Sequence, residues 1–137
     1  MIRQITWALG LMVAATVANA ADQPDQAPAV AAAQAWVQLI DQGNYADSWD
    51  HGAPVFQAAV TAAQWAQQLH ILREPLGKLL SRKLASAKYY TELPGVPDGH
   101  YWIIQMQSSF TNKQSCVETI TLTQVGKDWK AAGYFVR

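Results

Sequence analysis

The stretch TAAQWAQQLHILREPLGKLLSR, residues 61–82, decides how the rest of the chain is read. Thr61 followed three positions later by Gln64 is a capping-box pair, in which each side chain satisfies the other's free backbone N–H. Trp65, Leu69, Leu72 and Leu76 then recur at helical spacing and form one apolar stripe. Arg73 falls about 80° round the helix from Trp65, at the border of that stripe, while Gln67 and Glu74 lie opposite. Pro75 disfavours helical geometry at Glu74, so the helix ends there, and Gly77 supplies the backbone freedom to reverse direction. Arg82 sits just past that turn, where the chain enters a strand.

Working upstream, residues 28–40 are alanine-rich, with Val30, Ala33, Val37 and Ile40 on one face and Trp36 at its edge. Pro28 fits a first helical turn and Gly43 a helix stop. Asn44 offers a cap for a short helix over 45–51, in which Tyr45 and Trp49 share a face. Pro54 opens another over 54–59, carrying Val55, Phe56 and Val60 inward. Downstream, residues 78–90 lack helical periodicity and end in two tyrosines, which predicts a strand. LPGVPDG at 93–99 is a dense turn cluster, and strands follow at 101–111, 115–125 and 129–137 with short connections. In the third strand Cys116, Glu118, Ile120 and Leu122 face one way and threonines the other. Helices first and an antiparallel meander after them give an α+β fold, with N-terminal helices packed on a sheet of about four strands.

The start of the chain has a different purpose. Arg3, an apolar run over 7–17 and the small-x-small triplet Ala18-Asn19-Ala20 form an export leader, expected to be cleaved after Ala20. No cysteine follows that site, which argues against a lipid anchor, and no second apolar run follows to hold the chain in a bilayer. Residues 21–27 are expected to be a polar flexible arm and residues 28–137 one domain. The expected location is periplasmic or secreted. The 10 Lys and Arg balance 10 Asp and Glu. With no basic block or stripe, nothing points to nucleic acid. The single cysteine, Cys116, has no partner for an internal disulfide and is expected to be buried.

The succession LIDQGNYADSWD (39–50), QW (64–65), REPLG (73–77), LPGVPDG (93–99), SSF (108–110), VETITL (117–122) and KAAGYFVR (130–137) resembles the bacterial domain-of-unknown-function family 4019. The resemblance implies an exported protein. It also implies a cone-like shape similar to the nuclear-transport-factor-2-like fold, with helices cupping a curved sheet. It implies no activity, and no catalytic residue is carried over.

Candidate chemistry therefore rests on the residues themselves. Glu118 lies on the core face of its strand, and a buried carboxylate needs a cation. Arg73, at the border of the helix stripe, is the expected partner, with Arg82 joining it. This is either a clamp between helix and sheet or the charged end of a pocket that holds an anion. Trp36, Trp49, Trp65, Trp102 and Trp129 are core formers first. Trp49, Trp65 and Tyr134 are the candidates to line an apolar pocket. His51, His70 and His100 fall on separate elements without metal-ligand spacing, so neither a metal nor another cofactor is expected. The leading expectation is a non-catalytic module that binds a small molecule or a segment of an envelope protein. One rival is a small enzyme using Glu118 or Asp50 as acid or base. The other is a homodimer formed through the threonine face of the sheet.

Overall fold

The computed structural model describes residues 23–137. The expected leader at 1–20, its expected cleavage site and residues 21–22 of the expected arm lie outside the described residues. The chain runs through α1 (Gln26–Asp41), α2 (Tyr45–Asp50), α3 (Pro54–Ala59) and α4 (Ala62–Arg73). A 3-10 turn (Glu74–Leu76) leads into β1 (Leu79–Tyr90), β2 (Tyr101–Phe110), β3 (Lys113–Val125) and β4 (Asp128–Val136). The strands form one antiparallel sheet in the order β1-β2-β3-β4. The described residues thus form an α+β fold, with four helices followed by a curved four-stranded meander.

Local chemistry explains most of the boundaries. Thr61 Oγ1 accepts from the Gln64 N–H at 3.2 Å, and the Gln64 side chain accepts from the Thr61 N–H at 3.1 Å. The capping box therefore starts α4 as expected. α1 begins two residues before Pro28, because Asp25 caps it by accepting from the Ala27 N–H. Residues 26 and 27 consequently belong to the helix and not to the arm. α4 ends at Arg73, and its stripe differs in one respect from the expected one: Trp65, Leu69 and Arg73 are the buried positions, and Leu72 is only half-buried. The i, i+4, i+8 row ends on a charged residue.

The core lies between α1, α4 and the concave face of the sheet. It contains Ala33, Trp36, Val37 and Ile40 from α1, Phe56 from α3, and Trp65 and Leu69 from α4. Trp102, Ile104, Met106, Ile120, Leu122 and Ala131 meet them from the strands. Trp36 and Trp65 stack with ring centroids 6.0 Å apart, and Phe56 meets Trp65 edge-on at 4.8 Å. The indole N–H groups are satisfied within this cluster: Trp36 donates to the Ser48 carbonyl at 2.7 Å and Trp65 to Ser48 Oγ at 2.9 Å. Cys116 is buried, as expected.

Two irregularities in β1 set which of its side chains face inward. Leu79 pairs with Phe110, but Ser81 pairs with Ser109, so Leu80 is an extra residue. That bulge shifts the alternation by one and places Arg82 opposite the buried Ser108, on the concave face. Leu80 itself is 63% exposed. The turn before β1 depends on Gly77, whose φ is +76°. A Cβ built there falls 2.0 Å from Thr111 Oγ1, whose side chain accepts from the Lys78 N–H. Gly77→Ala is expected to lose more than about 1 kcal/mol of stability in urea denaturation, since both backbone and space are unfavourable. Gly43→Ala has the same positive φ and nothing within 4 Å of its Cβ, and is expected to lose less.

Candidate functional site

The meander register brings Arg82, Ser108, Glu118 and Tyr134 onto one patch of the concave face. Arg82 lies opposite Ser108, and Glu118 opposite both Met106 and Val136. Ser108 and Tyr134 are therefore diagonal neighbours of Glu118 on the two flanking strands. Two helix ends close over this patch. α1 ends at Asp41 and α4 at Arg73, each occupying the next position of its helix's buried row.

Glu118 is fully buried, and its carboxylate is fully occupied. Oε1 accepts from Arg82 Nε at 2.7 Å and from the Ser108 hydroxyl. Oε2 accepts from Arg82 Nη2 at 3.1 Å and from the Tyr134 hydroxyl at 2.5 Å. Arg82 turns its other edge to Asp41, donating from Nη1 to Oδ2 at 2.6 Å and from Nη2 to Oδ1 at 2.9 Å. Four of the five guanidinium N–H donors are then used in two forked pairs. Asp41 Oδ1 also accepts from Arg73 Nη2 at 2.8 Å. Two cations face two carboxylates, so the cluster is formally neutral.

This corrects the pairing expected between Arg73 and Glu118. Arg82 holds Glu118, and Arg73 holds Asp41. The helix wheel placed Arg73 at the right border but could not say which carboxylate it would meet. Asp41 was missed, although its place one turn after Val37, at the end of the α1 row, is the signal that marks it. Arg73 is the less satisfied of the two arginines. It is only 6% exposed, its guanidinium lies 4.8 Å over the Phe110 ring, and its Nε and Nη1 have no hydrogen-bond partner among the described residues.

Electrostatics bind the cluster together. Burial opposes the charge on Asp41, but hydrogen bonds from Arg82 and Arg73 outweigh it and hold the carboxyl below its ordinary value. Burial likewise opposes the charge on Arg82, and its bonds to Asp41 and Glu118 hold its pKa above the usual range. Tyr134 is pushed upward, first by burial and then by the neighbouring Glu118 charge, so its hydroxyl stays a donor. Chemically the arrangement is a closed clamp: every carboxylate oxygen has a donor, and the Ser108 and Tyr134 protons point at Glu118. The carboxylate proposed as an acid or base in an open cone is sealed. Asp50, the other acid or base candidate, is exposed at the end of α2.

The aromatic candidates also separate. Trp65 is in the core, Trp49 is half-buried with its N–H donating to the Val60 carbonyl at 2.8 Å, and Tyr134 belongs to the clamp. These three stand apart from a broad cleft on the flank of α1. That cleft, of about 510 Å³, runs between α1 and the start of β4. Pro28, Ala32, Ala35, Trp36 and Leu39 form one wall, and Trp129 and Ala131 the other, with His51, Lys127, Asp128 and Lys130 along it. On α1 the positions 28, 32, 35 and 39 make a second apolar row beside the core row. The row is readable in the sequence, but the strand that faces it is not. The threonine face of β3 is partly covered, with Thr119 buried and Thr121 and Thr123 half-buried. Among the described residues, no cluster of His, Cys, Asp and Glu has the arrangement of a metal site, and no helix is long and apolar enough to cross a membrane.

Removing Arg82 from the centre of the clamp leaves the buried Glu118 without a cation, while Asp41 keeps Arg73. Arg82→Gln is expected to lose about 3–5 kcal/mol in urea denaturation. Arg73→Gln, which breaks a single bond to a carboxylate that keeps Arg82, is expected to lose less than half of that. The pH dependence has a definite sign. Asp41 has a lower pKa folded than unfolded, so its contribution is present above its unfolded value, near 3.8, and fades as pH falls through the folded value. Denaturation midpoints measured from pH 6 down to pH 2.5 are expected to fall most steeply below pH 4, and less steeply in Asp41→Asn.

Comparison with family models places residues 32–134 in the family described as "Protein of unknown function (DUF4019)", and the chain belongs to it. The match runs from α1 to Tyr134 in β4 and includes all six clamp residues. Comparison with curated proteins finds no match.

Proposed function

We propose that this member of the family is an exported, non-catalytic binding module that holds a small apolar molecule in the cleft between α1 and β4. One observation carries the reading. The buried Glu118 carboxylate and its arginine are engaged in the Asp41–Arg82–Glu118 clamp, whereas the α1 side of the cleft presents apolar surface at a volume typical of small-molecule sites. Trp36 backs the cleft from the core, and Pro28, Ala32, Ala35 and Leu39 supply the open apolar surface of the α1 wall. The six residues first singled out, Trp49, Trp65, Arg73, Arg82, Glu118 and Tyr134, act in this reading as the frame that holds α1 and β4 apart at fixed distance.

The fold's shape is compatible with a nuclear-transport-factor-2-like cone whose interior is filled by the aromatic cluster and the clamp. The site then lies on the flank and not in the mouth of the cone. The leader at 1–20 supports a periplasmic or secreted location. Mass measurement of the protein from a periplasmic fraction is expected to give a chain starting at Ala21, and an unprocessed cytoplasmic chain would contradict export.

N-phenyl-1-naphthylamine, an uncharged fluorophore, tests the cleft directly. It is expected to bind saturably with a rise in emission. Ala35→Trp, a substitution at an exposed α1 position lining the cleft, is expected to abolish that rise with the denaturation midpoint unchanged. Equal binding by wild type and Ala35→Trp would sink the assignment.

A further inference from the structure

The chain is formally neutral, but its charges are not spread evenly along it. Residues 23–76, which supply the helices, contain one Lys or Arg against five Asp and Glu. Residues 77–137, which supply the sheet, contain eight against four. Strand register decides where that positive share goes. Lys83, Gln107, Val117 and Arg137 lie side by side across the four strands, and Ser86, Gln105, Thr119 and Phe135 form a second rung. Lys88, Ile103, Thr121 and Gly133 form a third, and Tyr90, Tyr101, Thr123 and Lys130 a fourth. These positions lie across the pleat from the core and clamp residues, so they make the face of the sheet turned away from the helices. None of them belongs to the core cluster.

Four cations frame this outer face, Lys83 and Lys88 on the β1 edge and Lys130 and Arg137 on the β4 edge, about 14 Å away across the strands. The Arg137 guanidinium lies 5.4 Å over the Phe135 ring. None of the four makes an ion pair among the described residues, whose salt bridges lie in the clamp and at His70–Glu74. The carboxylate in register with them is Asp128, at the tip of the last hairpin. Between the edges the side chains are mostly hydroxyls and amides. Ser86 donates to Gln105 at 3.1 Å and Gln105 to Thr119 at 3.4 Å, and Thr121 and Thr123 continue the row. At the Lys83 end, beside the bulges of β1 and β2, lies a pocket of about 290 Å³. Ser81, Lys83, Gln107, Ser109 and Gln114 border it, and no carboxylate does.

Cations held four strands apart suit an anion that repeats along a chain, since one carboxylate cannot meet both edges. The groups between them both donate and accept hydrogen bonds. A polyhydroxylated chain answers that field, whereas a lipid tail or an apolar helix face would only desolvate it. An extended peptide gains no backbone bonds from the two central strands, which are already paired on both sides. We propose that the outer face of the sheet binds an acidic polysaccharide, with one sugar carboxylate in the pocket beside Lys83 and others met by Lys88, Lys130 and Arg137. This surface is separate from the cleft beside α1 and does not rest on that reading.

Polygalacturonate is the probe, set beside two relatives that each lack one feature. Its methyl ester keeps hydroxyls and loses the charge, and poly-L-glutamate keeps the charge and loses the hydroxyls. In calorimetric titration at about 20 mM NaCl, polygalacturonate is expected to bind at least about tenfold more tightly than either, and to lose most of that affinity at about 500 mM. Lys83→Gln/Lys88→Gln, at exposed positions, is expected to weaken it at least about tenfold with the denaturation midpoint unchanged. Gln107→Glu keeps both lysines but sets a carboxylate directly opposite Lys83, and is expected to weaken binding as well. Equal binding of the ester or of poly-L-glutamate overturns the assignment. So does polygalacturonate binding that ignores these substitutions, or no saturable binding of it at all.

Discussion

The Arg82 guanidinium between the buried Glu118 carboxylate and the half-buried Asp41 carboxylate is the interaction on which the rest of the structure depends. Its two forks reach Glu118 in the centre of the sheet and Asp41 at the end of α1. Through Asp41 it reaches Arg73 at the end of α4, and through Glu118 it reaches Ser108 and Tyr134. One contiguous network thus touches two helices and all four strands. Apolar packing between the helices and the sheet forms the core, but it is tolerant of small shifts. Forked ion pairs are not, because a carboxylate displaced from its guanidinium inside the protein is left without solvent. The network therefore fixes where α1 sits on the sheet, and with it the width of the cleft on the other flank of that helix.

The same physics separates structural groups from those free to bind. A buried charge with every lone pair engaged has no capacity to meet a ligand without first breaking a bond. Glu118 is in that state, and Asp41 nearly so. Lys127, exposed in the turn before β4 with no ion-pair partner among the described residues, is in the opposite state. In the proposed reading the charged interior holds the shape, and the apolar flank offers the binding surface.

Much of the fold was legible in the sequence because its signals are local. Thr61 and Gln64 announce the start of α4, Pro75 and Gly77 its end, and the alternation of Cys116, Glu118, Ile120 and Leu122 marks a buried strand face. Glu118 as a buried carboxylate in need of a cation was readable for the same reason. Its partner was not, because the choice between Arg73 and Arg82 turns on the bulge at Leu80, which flips Arg82 inward. A bulge in an edge strand leaves little trace in a sequence of mixed polarity such as LLSRKLAS. Asp41 and Arg73 were half-legible: each extends its helix's buried row by one turn, Val37 to Asp41 and Leu69 to Arg73. The cleft was hidden for another reason. Alanines at 32 and 35 read as helix formers, and only the long-range return of β4 beside them makes a concave surface.

The claim that the buried network is a mutually dependent clamp is tested most directly by a double-mutant cycle on its central pair. Arg82→Met, Glu118→Leu and the combined variant would be compared with wild type by equilibrium urea denaturation. A clamp predicts that each single substitution is severely destabilising and that the double variant is closer to wild type than the sum of the two, with a coupling of at least about 1.5 kcal/mol. Strictly additive losses, or singles within about 0.5 kcal/mol of wild type, would contradict it.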